Sequence, residues 1–164
     1  MTSPSKKTGH VASLHLHPAK AGAAMISVTS IDVETDKGIM GNGRYFGRRS
    51  LGGQPGKRQV TLIEREQIAE HGNALHISIG PGVVRSNIET TDIDLMALIG
   101  QRVRVGTAIL EFYEARTPCS KMDAICTGLR SIMENGRQGV LAKVIQSGRV
   151  AIGDSIAPIN SAAG

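Results

Sequence analysis

The feature that most constrains this chain is its punctuation. Short runs with strand character follow one another, each closed by glycine, proline or a polar turn before a long helix could develop. "HVASLHLHP" alternates, with Ala12, Leu14 and Leu16 on one face and Val11, Ser13, His15 and His17 on the other, and Pro18 ends it. "ISVTSIDVE" (26–34) and "RQVTLIE" (58–64) are strands rich in β-branched residues. "GVVRSNIET" (82–90) reads as another strand, and "QRVRVG" and "TAILEFYEA" as a hairpin around a Gly-Thr turn. "GVLAKVIQSGRVAIGDSIAPI" closes the chain as two strands around Ser147-Gly148. The helical signals are brief. "EREQIAEHG" is a short helix stopped by Gly72, "DIDLMALIG" gives a turn or two with Leu95, Leu98 and Ile99 inward, and "GLRSIMENGRQG" a small helix from near Gly128 to Gly136. Long crossover helices are missing, so the pattern predicts a mostly β fold: a closed or nearly closed β-barrel with a few short accessory helices.

Its core must be aliphatic, because the chain has two Tyr, two Phe and no Trp. At 164 residues the length suits one domain, expected over residues 9–160 after a disordered leader at residues 1–8. "MTSPSKKTGH" lacks the apolar run of a signal peptide, and no stretch approaches the roughly 20 apolar residues that span a bilayer. Two cysteines are too few for a disulfide framework. These points lead us to expect a cytoplasmic protein with no membrane partner.

Between Gly38 and Gly56 lie seven glycines, which predicts a long irregular loop of the kind that often carries function. The same stretch is strongly basic. From Lys37 to Ile63 there is no Asp or Glu, while Lys37, Arg44, Arg48, Arg49, Lys57 and Arg58 are present, within a formal net charge of +5. That balance favours an anionic partner. Nucleic acid is the bulk candidate, but four aromatic side chains leave little on which to stack bases. "GIMGNG" is neither a dinucleotide fingerprint nor a P-loop, although its glycines could still present backbone N–H groups to an anion. Arg85 and Asn87, alternating along one strand, would point the same way and could form a paired anion and amide contact; a solvated strand face accounts for them as well.

"EARTPCSKM" (114–122) holds the most reactive prospect. Pro118 stiffens the loop, and Arg116 and Lys121 place positive charge near Cys119, which would favour its thiolate. A thiolate can attack a sulfur donor, carry a persulfide or ligate a soft metal; the alternative is a buried, inert thiol. Cys126 lacks such neighbours and reads as packing. The two cysteines cannot fill a tetrahedral zinc site, and His15 with His17 would need a third ligand from elsewhere.

Taken in order, "GIMGN", "RQVTLIERE", "RSNIETTDIDLMALIGQRVRVGTAILEF", "RTPCSKM" and "GVLAKVIQSGRVAIGDSI" resemble the MOSC domain, the module named for the C-terminal part of molybdenum-cofactor sulfurases. The resemblance runs over roughly residues 10 to 158 and implies a standalone domain with a barrel-like fold. It implies that Cys119 is a sulfur carrier or molybdenum ligand, and that Arg85 and Asn87 lie near the phosphate of molybdenum cofactor (molybdopterin) or another small-molecule anion. Arg116, Thr117, Lys121, Arg44 and Arg58 are expected around the same ligand, and Gly153-Asp154 is expected to form a structural turn. The activity implied is sulfur transfer or reduction of N-hydroxylated compounds; a non-catalytic cofactor or sulfur delivery module, or a nucleic-acid-binding protein, are the alternatives. Full-length sulfurases carry a separate pyridoxal-phosphate domain, so the resemblance implies an outside sulfur donor such as a cysteine desulfurase, or an outside electron-donating reductase. One departure stands out. Many members have Gly-Asp and soon a His after the early glycines, whereas this chain reads Gly41-Asn42-Gly43-Arg44-Tyr45, which shifts the expectation from acid–base chemistry to anion binding.

Overall fold

A computed structural model describes residues 8–56 and 58–159. The leader expected at residues 1–8 therefore lies, but for Thr8, outside the described residues. In chain order the elements are β1 (Gly9–Leu16), β2 (Ile26–Val28), β3 (Ser30–Glu34), β4 (Gly38–Ile39), β5 (Val60–Glu64), α1 (Arg65–Leu75) and β6 (Ile88–Thr91). A 3-10 turn (Met96–Leu98), β7 (Arg102–Val105), β8 (Ala108–Ala115), α2 (Lys121–Ile125), α3 (Leu129–Ile132), β9 (Val140–Gln146), β10 (Gly148–Ala151) and β11 (Ser155–Pro158) follow.

Seven strands close on themselves in the order β11-β7-β8-β9-β5-β6-β1, with β1 returning to β11 through Gly9 opposite Ile156 and His10 opposite Ser155. The closure removes the free sheet edges that such short strands would otherwise expose. Every pair is antiparallel except β5 and β6, which run parallel because α1 carries the chain across between them. β2 attaches to β1, and β3 joins β10 and β4 in a separate three-stranded sheet. The barrel is filled by Leu14, Val60, Leu62, Ile88, Val103, Val105, Leu110, Val140, Ala142 and Val144, with Phe112 the one aromatic among the buried apolar residues described. A second cluster of Ile63, Ile68, Val84, Met122, Leu129 and Met133 anchors the three helices on the outside of the barrel. Met122 in that cluster holds the start of α2, three residues after Cys119.

The mostly β barrel with three short helices agrees with the sequence pattern, but several local expectations do not hold. Val11 shares the core with Leu14, because the register slips between Val11 and Ser13 and a bulge turns the strand over. The run 26–34 breaks at Thr29, whose carbonyl accepts the Ile152 amide, and its halves enter different sheets. α1 passes through Gly72 and stops at His76, which takes the left-handed conformation at φ 59°. Gly72 is there for packing, since a Cβ would come within 2.7 Å of the Ile77 carbonyl oxygen. Residues 82–87 are a turn rather than strand, and the closing segment forms three strands instead of two.

Candidate functional site

Segments leaving β1, entering β5 and β6, and joining β8 to β9 meet around one cleft. Its cavity is about 90 Å³ and opens to solvent. His17 and Pro18 come from the end of β1, Arg44 and Tyr45 from the glycine-rich loop, and Arg58 and Arg85 from the approaches to β5 and β6. The β8–β9 connection supplies Arg116, Thr117, Cys119, Lys121 and Gln138, and Lys20 completes the cationic rim. Among the described residues, no acidic side chain lines the cleft.

The arginines are held in different ways. Arg116 is buried, its Nη1 donating to the Arg85 carbonyl at 3.3 Å and the Ser86 hydroxyl at 3.0 Å, and its backbone N–H to the Gly139 carbonyl at 2.9 Å. Arg85 adopts φ 66° and donates to the Ala23 carbonyl at 2.9 Å. Arg58 and Arg44 lie 5.2 Å and 5.7 Å from the centre of the Tyr45 ring, which itself packs against His17 with ring centres 4.7 Å apart. These are cation–π contacts that position two positive charges without neutralising either.

So much uncompensated charge changes its neighbours. Burial, then Arg58, Arg116, Arg85 and Arg44, push His17 down to about 3, so its imidazole is neutral throughout the physiological range. Burial, then Arg58, push Arg116 down to about 9, partly opposed by Cys119 and Tyr45; its guanidinium remains charged at neutral pH. Burial alone would raise the Tyr45 phenol, but Arg58, a hydrogen bond with Arg44 and the charge of Lys121 together lower it. Three buried polar atoms of the cleft-lining residues have no partner: Nε2 of His17, Nε of Arg58 and Oε1 of Gln138. Leaving such groups unpaired costs on the order of 1–3 kcal/mol each.

Of the residues singled out from the sequence, Arg44, Arg58, Arg85, Arg116, Thr117, Cys119 and Lys121 line this one cleft. Cys119 is exposed, and its carbonyl accepts the Met122 amide at the start of α2; Cys126, half-buried, caps the far end of that helix. Asn87 is elsewhere. Its Oδ1 accepts the Thr61 amide and hydroxyl, and its Nδ2 donates to the His15 carbonyl and to Asn42 Oδ1, so its side chain ties strands together. The shared face expected for Arg85 and Asn87 is absent because Arg85 sits in a left-handed turn before the strand begins. His15 and His17 also part company. His15 is enclosed with Ser13, Ser27 and the buried Glu89, while His17 reaches the cleft. Of the remaining basic residues, Lys37 pairs with Glu34 at 3.1 Å, Arg48 and Arg49 line a neighbouring depression that shares Tyr45 and Arg58, and Lys57 lies outside the described residues. His17, Tyr45, Lys20 and Gln138 carried no motif in the sequence; only the meeting of distant segments reveals them.

The chain is a closed small barrel whose loops gather arginines and one exposed cysteine around a basic cleft. The MOSC domain family profile matches residues 15–157, and the chain belongs to that family. Its fold is similar to that of YuaD from Bacillus subtilis, at TM-score 0.73 and 19% identity over 92% of this chain and 96% of that one. It is also similar to YiiM from Geobacillus stearothermophilus (TM-score 0.71, 16% identity, 95% and 77% of the two chains) and to YiiM from Escherichia coli (0.65, 19%, 96% and 71%). No curated protein matches the sequence. Among the described residues, no helix is long and apolar enough to cross a membrane.

Proposed function

We propose that the cleft binds molybdenum cofactor or a related anionic pterin, and that Cys119 at its rim serves as sulfur carrier or molybdenum ligand. The observation that carries the reading is the convergence of Arg44, Arg58, Arg85 and Arg116 on a cleft with no acidic lining residue among those described. Guanidinium groups match phosphate oxygens in geometry as well as charge. The residues fit the cofactor. The guanidinium groups of Arg44, Arg58, Arg85 and Arg116 line the cleft and would offer donors to phosphate oxygens, and the exposed Cys119 offers the soft donor that molybdenum prefers. Among the described residues, no three His, Cys, Asp or Glu side chains gather to hold a bare ion, so a metal would arrive already held by its cofactor.

Arg116, buried and charged, would fix the phosphate, with Arg85, Arg58 and Arg44 closing around it; Lys121 and Thr117 would border the sulfur. In the carrier role, the Cys119 thiolate attacks the terminal sulfur of a donor persulfide. A new S–S bond forms at Cys119, the donor's S–S bond breaks, and the donor leaves as a thiolate, with no net redox change. The donor would be a partner such as a cysteine desulfurase. In the ligand role, Cys119 would hold molybdenum through its sulfur. The cofactor would supply two-electron redox chemistry, and reduction of an N–OH group to N–H and water needs two electrons and two protons, drawn from a separate reductase.

Metal and pterin analysis of protein isolated under reducing conditions, beside Cys119→Ser, tests the reading. The wild type is expected to hold both, and the variant to retain pterin while losing metal if Cys119 is a ligand. A wild type that takes up neither, even after cofactor loading, sinks the proposal. Persulfide trapping after incubation with a sulfur donor separates the carrier role: label on Cys126 and none on Cys119 would contradict the assignment.

A further inference from the structure

The cleft cavity, at about 90 Å³, admits a phosphate-sized group, whereas sites that enclose whole organic ligands run to roughly 300–1,000 Å³. A larger anion must therefore continue into neighbouring space, and three depressions share residues with the cleft. The one beside Arg85 has no other charged lining residue among those described. The one that shares Arg116 and Thr117 sets Glu134 against Arg130. The third, of about 530 Å³, takes Tyr45 and Arg58 from the cleft wall and adds Arg48, Arg49 and Ser50, with no acidic lining residue among those described. An anion leaving the cleft meets positive charge without opposition only there. The loop that shapes this depression is closed by its own backbone. The Gly56 amide donates to the Arg48 carbonyl at 2.7 Å, the Ser50 amide donates to the Gln54 carbonyl at 2.9 Å, and Arg49 bridges to Pro55. Gly56 permits the close approach, since a Cβ there would lie 2.8 Å from the Arg48 carbonyl oxygen. Arg49 Nη1 donates to the Gly53 carbonyl at 2.9 Å, which holds that guanidinium in place. Among the described residues, Arg48, Arg49 and Arg58 have no carboxylate within ion-pair reach, and Arg48 and Arg49 are exposed.

We infer that this depression is a second oxyanion subsite, and that the ligand of the cleft is an extended molecule with two anionic groups. One group is held in the cleft by Arg85 and Arg116, and the other, of the phosphate class, by Arg48 and Arg49, with Arg58 between them. Guanidinium forks suit the oxygens of both ends. The inference rests on the proposed function's reading of the cleft as an anion site. It adds the length of the ligand and its second charge, which that reading does not impose.

The test measures binding to the full chain by calorimetry. Methylphosphonate is the one-headed probe, and α,ω-alkane bisphosphonates from propane to dodecane are the two-headed ones. At least one chain length is expected to bind about tenfold or more tightly than methylphosphonate, because a tethered second group meets its subsite at high effective concentration. Arg48→Gln/Arg49→Gln is expected to abolish that gain. Arg104→Gln/Arg137→Gln removes the same charge from exposed positions that line neither the cleft nor the depression, and is expected to keep it. A gain absent at every chain length, a gain that survives in the first double variant, or a gain lost equally in both overturns the inference. Should loss of Arg49 loosen the loop, Arg48→Gln alone leaves the bond from Arg49 to Gly53 intact and is expected to reduce the gain by about threefold; an unchanged gain there overturns the inference as well. Failure of the anion reading looks different. Wild type that binds neither kind of probe removes the anion cleft and the second subsite with it, whereas wild type that binds methylphosphonate with no gain at any length removes the second subsite alone.

Discussion

Oδ1 of Asn42 accepts hydrogen bonds from Nδ2 of Asn87 at 3.1 Å and from the His17 amide at 2.7 Å. One carboxamide oxygen therefore joins the glycine-rich loop, the end of β1 and the segment entering β6. The Asn42 that departs from the usual Gly-Asp pattern keeps the acceptor an Asp would supply, and does so without burying a negative charge. It acts on the cleft through His17, whose backbone it holds.

Asn87→Ala should be among the most damaging polar substitutions. It removes the acceptor for the Thr61 amide and hydroxyl and the donor to His15 and Asn42, all in buried surroundings. With buried orphans costing about 1–3 kcal/mol each and partial relaxation, a loss of about 3 kcal/mol in urea unfolding is expected. A ligand-contact role for Asn87 would instead leave unfolding nearly unchanged and abolish anion binding.

Arg116→Met separates charge from fold. Among the described residues the buried side chain has no carboxylate partner, so removing its charge relieves repulsion from Arg58 and Arg85 while giving up bonds to Arg85 and Ser86. These effects oppose one another, and the midpoint of unfolding without ligand should move less than in Asn87→Ala. Pyrophosphate affinity should fall by about ten- to a hundredfold, the worth of a charge-assisted contact, read by calorimetry. A variant that binds as well as wild type removes Arg116 from the site.

The architecture was legible in the sequence because strand runs and turn signals repeat at short range, and closure of the sheet follows from having many short strands and few helices. What escaped was set by distance along the chain. The bulge that turns Val11 inward depends on β6, and Gly72 passes through α1 because of its contact with Ile77. The cleft was legible in part for a similar reason. Charge and the Pro-Cys loop mark Arg44, Arg58, Arg116 and Cys119, but His17 and Gln138 become site residues only through what surrounds them.

Glycines of the basic loop should divide sharply. Gly43 has φ 52°, and a Cβ there would lie 2.5 Å from the Pro18 carbonyl oxygen and 2.8 Å from that of His17. Gly43→Ala should cost about 2–4 kcal/mol by thermal unfolding, combining left-handed strain with displacement of the loop from β1. Gly53 has φ 81° with nothing within 4 Å, so Gly53→Ala should cost only the backbone term of about 1 kcal/mol. Equal losses would mean that the loop does not press on His17 and Pro18 as described.

His17 should leave its mark on acid stability. Its pKa is about 3 in the folded protein against 6.5 for an unperturbed imidazole, so between those values the unfolded chain binds a proton that the folded protein does not. Stability is then fully present above pH 6.5 and is lost as pH falls towards 3, with a limiting slope of about 1.4 kcal/mol per pH unit from this group. His15, lowered mainly by burial, adds a slope of the same sign, while Glu64, raised mainly by burial, opposes it in the carboxylate range. The clean readout is the difference between wild type and His17→Phe. Urea unfolding from pH 7 to pH 4.5 should show the wild type losing about 2–3 kcal/mol more than the variant across that span. Parallel profiles would mean that His17 takes up its proton as readily in the folded protein as in the unfolded chain, and that the surrounding arginines do not hold its imidazole neutral.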